Sequence, residues 1–290
     1  MDRSQYQPLI DRALEEDLGL AGDISEGAVP ADATSGAHVV ARQDGRIAGL
    51  EVARDVFLTV DPSTEVRVIA ADGDSVVAGT NLVAVAGASR SLLAAERTAL
   101  NFLGMMSGVA TATARMVDGV AGTNARVADT RKTLPGLRAL QKYAVRMGGG
   151  INHRFGLFDA VMIKDNHLVA AGGIKTAVAA ARERVGHAVT IEVEVTNLEQ
   201  LNELLEVGAD IVLLDNMTPD QLRAAVKLVD GRMVTEASGG VTPETIRAIA
   251  ETGVDIISSG WITHSAPNFD VALDFVPNPQ IAGASDTLDR

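Results

Sequence analysis

Residues 189–240 read VTIEVEVTNLEQLNELLEVGADIVLLDNMTPDQLRAAVKLVDGRMVTEASGG. Three apolar runs, VTIEVEV, ADIVLLD and RMVTEAS, alternate with two stretches of helical periodicity, LEQLNELLEVG and PDQLRAAVKLV. Strand, helix and strand without a hairpin turn between them means parallel strands joined by crossover helices. The rhythm extends outward in both directions. ARVADT and AVMIKDN precede it, and PETIRAIAETG and VDIISSG follow it. Six such strands with short connections predict a closed or nearly closed β/α barrel, with an open doubly wound sheet as the alternative. No GxGxxG follows a strand, so a dinucleotide fold has little support.

A barrel binds ligands at the C-terminal ends of its strands. Here those ends are polar: Asp129-Thr130-Arg131-Lys132, Lys164-Asp165-Asn166-His167, Glu192 and Glu194, Asp215-Asn216, Glu236 and Ser238, Ser258 and Gly260. Alternation along a strand sorts them further. If Ile191, Val193 and Val195 pack on helices, Glu192 and Glu194 point inward. Lys164 shares the face of Met162, and Asp215 that of Ile211 and Leu213. Carboxylates and a lysine thus converge on one mouth, where an unpaired charge is costly and must find a partner, a ligand or a metal.

Upstream of residue 125 the pattern differs. PLIDRALEEDL (8–18) reads as a helix closed by Gly19. AHVVARQDG, RIAGLEVA, TEVRVIAADGD and NLVAVAGA read as strands separated by DG and GT turns, as in an antiparallel sheet. A long helical segment containing Glu96, Arg97 and Asn101 runs from Ser91 past Gly108.

Composition narrows the function. The chain has 290 residues, 47% of them hydrophobic and 22% charged, enough to bury a large core. It has no cysteine, which removes thiol nucleophiles, thiolate metal sites and disulfides. No apolar run approaches the ~18 residues of a membrane span. The acidic, amphipathic start is not a signal peptide, so a cytoplasmic setting is expected. A net charge of −13 repels nucleic acid and anionic membranes. Yet residues 126–167 carry eight Lys/Arg against Asp129, Asp159 and Asp165, a local balance of +5. A cationic island in an acidic protein points to a small anionic ligand in a pocket.

Three motifs give that island detail. Ser238-Gly239-Gly240 ends a strand, and TPETIRAIAETG opens a helix with Thr242 as N-cap and Pro243 at the first position. Bare glycine amides there suit a phosphate, with residues 258–260 beside them. DTRKTLPGLR (129–138) sets Arg131 and Lys132 at a strand end before a helix starting near Pro135. On that helix Arg138, Lys142 and Arg146 recur at i, i+4 and i+8, as on a solvated basic face. GGGINHRFG (148–156) brings His153 and Arg154 beside the Lys164 strand, where they could clamp carboxylates. No HxxxH pair exists, so no histidine zinc site is expected. Lys132 or Lys164 also leaves open a Schiff-base lyase.

AERTALNFL (95–103), DTRKTLPGLR (129–138), KYAVRMGGGINHR (142–154), MIKDNH (162–167), IEVEV (191–195), GADIVLLDN (208–216), EASGG (236–240) and SGWITHSAP (259–267) together resemble the quinolinate phosphoribosyltransferase family, over residues 8 to about 275. The resemblance implies an α/β fold: an N-terminal α/β sandwich (1–108), then an irregular open α/β barrel (109–264), with residues 265–290 returning to the first domain. It implies transfer of phosphoribosyl from phosphoribosyl pyrophosphate to quinolinate with decarboxylation, giving nicotinate mononucleotide, pyrophosphate and carbon dioxide for NAD synthesis. Magnesium is the implied cofactor, and the implied assembly is a homodimer or a multiple of dimers, each mouth closed by the other subunit. Carried over residue by residue, Arg97 comes from the second subunit. Arg131, His153, Arg154 and Lys164 hold the pyridine carboxylates, and Lys132 lies between the substrates. Glu194 and Asp215 meet the ribose hydroxyls and magnesium, with Glu194 preferred over Glu192. Ser238, Gly239, Gly240 and Gly260 bind the 5′-phosphate, with His264 nearby. Trp261, Gln141 and Leu134 depart from the family pattern. A related enzyme taking another base, such as nicotinate, is the alternative.

Overall fold

The structure, a computed structural model, describes residues 1–276. The tail from 277 onward, to which no role is assigned from sequence, lies outside the described residues. The chain divides into two compact units. The first holds residues 1–111, 139–148 and the segment from 267, and the second holds 112–138 and 149–266. Residues 139–148, inside the barrel boundaries expected from sequence, group with the first unit.

In the first unit an antiparallel sheet runs in the order Val271–Val276, Thr34–Ala41, Asn81–Ala88, Glu65–Val68. Two helices, Gln7–Leu18 and Leu50–Val60, pack against one another, and the second also packs on the sheet. Gly19, at φ 55°, ends the first helix as its sequence predicts. RIAGLEVA does not form the predicted strand. Only Gly45–Arg46 is extended, and Leu50 starts a helix. Leu50, Ala53 and Phe57 recur at helical spacing and are all buried, and Asp72 Oδ1 accepts the orphan N–H groups of Gly49 and Leu50.

The long helix is Ser89–Gly119. Gly104 and Gly108 lie one turn apart on it, where the 267–269 segment crosses. A Cβ on Gly108 would lie 2.2 Å from the Pro267 carbonyl oxygen, and Phe269, fully buried, donates its N–H to the Gly104 carbonyl at 2.9 Å. Small residues here admit the chain that becomes the edge strand Val271–Val276.

In the second unit, six parallel strands run in the order Arg126–Ala128, Ile256–Ser258, Val234–Ser238, Ile211–Asp215, Ile191–Val195, Val161–Ile163. This order is cyclic. The last strand pairs with the first, and the opening falls between the first and second. A doubly wound sheet reverses its order instead, so the fold is the irregular open barrel. A parallel bridge between Ala128 and Ile151 borders the opening.

Two expectations from sequence give way. The helix after the glycines is only Ile246–Ala250. A turn across Thr242–Thr245 precedes it, in which Thr242 N–H donates to Thr245 Oγ1. The glycines therefore lead into a turn, without a helix N-terminus directly behind them. The basic face of the helix Arg138–Met147 is not uniformly solvated. Lys142 is 3% exposed, and Arg138 is half-buried.

Gly108→Val tests the crossing. It should cost about 1–3 kcal/mol by overpacking and lower the melting temperature by several degrees. An unchanged melting temperature would mean the 267–269 segment does not need that gap.

Candidate active site

A cavity of about 270 Å³ opens at the C-terminal strand ends of the second unit. Strand alternation places its walls as expected: Met162 and Lys164, Glu194, Leu213 and Asp215, Glu236 and Ser238, and Ser258 all face it. Arg131, Lys132, His153 and Arg154 complete it from the two loops. Eight of the residues to which the resemblance gives a role, Arg131, Lys132, His153, Arg154, Lys164, Glu194, Asp215 and Ser238, thus line one cavity. Lys132 also reaches the glycine at 260: a Cβ there would come within 2.9 Å of Lys132 Cδ and 3.1 Å of the His264 ring. Gly239 and Gly240 have φ of 101° and 60°, conformations that favour glycine. Arg97 belongs to the other unit. It is exposed on the Ser89–Gly119 helix, in the first unit.

Backbone contacts position the cationic loops. Thr263 Oγ1 donates to the Lys132 carbonyl at 2.7 Å, and Lys132 N–H donates to Thr130 Oγ1 at 2.9 Å. Arg138 braces both loops, donating to Thr133 Oγ1, the Phe155 carbonyl and the Arg131 carbonyl. Asp129, fully buried, accepts from the His153 N–H at 2.9 Å and the Asn152 amide at 2.6 Å. It holds the turn that aims His153 and Arg154.

The cations differ in their surroundings. Lys164 Nζ pairs with Glu194 Oε2 at 2.7 Å. Arg154 donates to the Ala160 carbonyl, and its buried Nε has no partner; the same is true of Arg131 Nε. Burial, and then the Arg131 charge, lower the proton affinity of Arg154, so an anion brought to this pair is favoured.

Beneath the cations lies a buried acidic pair. His153 Nε2 is 3.1 Å from Glu192 Oε2 and 3.6 Å from Glu236 Oε1, and both glutamates are nearly fully buried. Desolvation, and then the charge of Glu192, push Glu236 up to about 7. The trio has the composition of a metal site. However, His153 Nδ1 accepts the Arg154 N–H at 2.6 Å, which leaves the hydrogen on Nε2. A ligating imidazole instead donates from its second nitrogen. With its hydrogen on Nε2, His153 points that hydrogen at Glu192 and is not set up to ligate a metal. His153 and Lys164 thus each face one of the protein's own acids, and Arg131, Lys132 and Arg154 line the cavity beside them. Glu192 and Glu236 stood among the polar strand ends in sequence, but only the fold shows that they meet.

This pair predicts a stability profile. Glu236 holds its proton more tightly in the fold than at its ordinary value of 4.5, so its stabilisation is full below pH 4.5 and is lost as pH rises through about 7. Glu236→Gln should flatten that fall and make the protein about 1–3 kcal/mol more stable than wild type at pH 8, as read by denaturant melts across pH. An identical slope in the variant would rule out the raised proton affinity of Glu236.

Two family models match the chain: the quinolinate phosphoribosyl transferase N-terminal domain over residues 23–107 and its C-terminal domain over residues 109–274. A probable nicotinate-nucleotide pyrophosphorylase [carboxylating] of Bacillus subtilis is 40% identical over 274 residues, 94% of either chain. One from Synechocystis is 44% identical over 93% of this chain and 92% of its own length. The solved nicotinate-nucleotide pyrophosphorylase from Francisella tularensis superposes with a TM-score of 0.92 at 39% identity, covering 95% of this chain and 98% of that one. With both domains matched in order across the cationic cavity and the sheet that carries it, the chain belongs to the quinolinate phosphoribosyltransferase family.

Proposed function

We propose that this chain transfers the phosphoribosyl group of phosphoribosyl pyrophosphate to quinolinate, with loss of carbon dioxide, at the cavity described above, as a homodimer using magnesium. The observation that carries the reading is the convergence of Arg131, Lys132, Arg154 and Lys164 with Glu194, Asp215 and the Ser238 strand end around one opening.

Chemistry assigns the roles. The two pyridine carboxylates meet Arg131, Arg154 and Lys164, whose guanidinium forks and ammonium suit them. His153 stays beside them on the buried acids. The 5′-phosphate meets the Ser238 hydroxyl and the Gly239 and Gly240 amides, with Gly260 and His264 adjoining. Glu194 and Asp215 offer carboxylate oxygens to the same cavity, the hard donors that magnesium prefers, and would hold it. When bound, the ion neutralises charge on the departing pyrophosphate. As the sugar bond to pyrophosphate breaks, positive charge develops at C1′, and the same two carboxylates favour it. Lys132 lies between the reactants. Once the ring nitrogen carries the sugar it is cationic. The adjacent carboxylate leaves as carbon dioxide, its electron pair remains on the ring carbon beside that charge, and a proton then takes its place. No covalent enzyme intermediate is needed.

Two features support a shared site. Arg97 is exposed on its helix, with a side chain free to reach a second copy of the chain. Leu157 and Phe158, beside the His153–Arg154 turn, are 74% and 81% exposed, apolar surface suited to association.

Lys132→Ala should lower turnover by about three orders of magnitude or more with the fold intact; a near-normal rate would remove its place between the substrates. Arg97→Ala and Lys164→Ala should each be inactive alone. Mixed under subunit exchange, they should regain part of the wild-type activity through hybrid dimers. No recovery, with exchange verified by mass, would mean the site is not shared.

A further inference from the structure

We propose that Asn216 is a positioning residue that clips the Asp215 carboxylate to the Gly239 turn and thereby sets affinity for phosphoribosyl pyrophosphate. The proposal rests on the phosphoribosyl-transfer reading above. Among the described residues, two that are not glycine have positive φ: Asp230 at 47° and Asn216 at 54°. Asp230 has an ordinary reason, since it caps the C-terminus of the helix Pro219–Val229. Asn216 caps nothing. It directly follows the strand Ile211–Asp215, at the cavity edge.

Its left-handed backbone aims the side chain along the strand ends. Asp215 pairs in register with Ser238, and Asn216 N–H extends that ladder by donating to the Ser238 carbonyl at 2.9 Å. The side-chain amide then bonds one neighbour and packs on the other. Nδ2 donates to Asp215 Oδ2 at 2.7 Å, an orientation fixed by a carboxylate that only accepts. Oδ1 lies against Gly239: a Cβ there would be 2.2 Å from Oδ1 and 2.6 Å from Cγ. The glycine at 239 is thus required by its neighbour as well as by its own φ of 101°. Asp215 and the 238–240 turn hold different ends of one phosphoribosyl group in the proposed reaction. Asn216 sets the spacing between them without touching the substrate.

The test uses two variants of the full-length protein. Asn216→Gly keeps the left-handed backbone at no steric cost and deletes the clip. Asn216→Asp keeps the shape but puts an acceptor where the donor was. Calorimetric titration with phosphoribosyl pyrophosphate and magnesium, and separately with quinolinate, reads both. Each variant should weaken phosphoribosyl pyrophosphate binding by about tenfold or more, the range for one hydrogen bond to a charged group. Quinolinate affinity should stay within about twofold, and Asn216→Gly should not lower the melting temperature. Wild-type affinity in either variant, or an equal loss for quinolinate, would overturn the clip. Absence of phosphoribosyl pyrophosphate binding in the wild type would overturn the underlying function instead.

Discussion

Charge compensation in a confined space is the constraint on which this site depends. Four cations line the cavity, while Glu192 and Glu236 are almost fully buried behind it and Glu194 and Asp215 stand at its rim. Buried charges are tolerated only when paired or neutralised. The protein meets part of that demand internally, through Lys164 with Glu194, His153 with Glu192, and the raised proton affinity of buried Glu236. The remaining demand belongs to Arg131 and Arg154, whose inner nitrogens have no protein partner. In the proposed reaction the two carboxylates of quinolinate answer it in kind.

The fold delivers these groups by simple geometry. Parallel strands in cyclic order bring their C-terminal ends to one rim, and alternation decides which side chains face inward. Long-range contacts then refine the positions. Asp129 holds the turn before Arg154, Arg138 ties the Arg131 loop to Phe155, and Thr263 fastens Lys132. Glycine at 239 and 260 leaves room for Asn216 and Lys132. Most of these contacts span residues distant in sequence, so the precision of the site is a property of the whole unit.

That distinction explains what could be read in advance. The barrel was legible because strand and helix periodicities differ, and the inward glutamates because a strand repeats every two residues. The helix Leu50–Val60 was misread because Ile47, Ala48, Leu50, Val52 and Ala53 satisfy either period over a short window; Asp72, 22 residues away from Leu50, caps the helical choice. Lys142 looked solvated because helical spacing groups it with Arg138 and Arg146, and spacing carries no information about what packs over a face. The meeting of His153 with Glu192 and Glu236 needed a loop and two strands brought together in space. The resemblance supplied roles that no periodicity carries, such as Arg97 acting from a second chain.

The most direct measurement is a single turnover with limiting phosphoribosyl pyrophosphate, magnesium and excess enzyme, quantifying pyrophosphate and carbon dioxide from quinolinate and, in parallel, from nicotinate. A mouth built for a diacid should release both products in equal amounts from quinolinate and leave nicotinate essentially unreacted. Pyrophosphate released from nicotinate at the same rate, or none from quinolinate, would contradict the account.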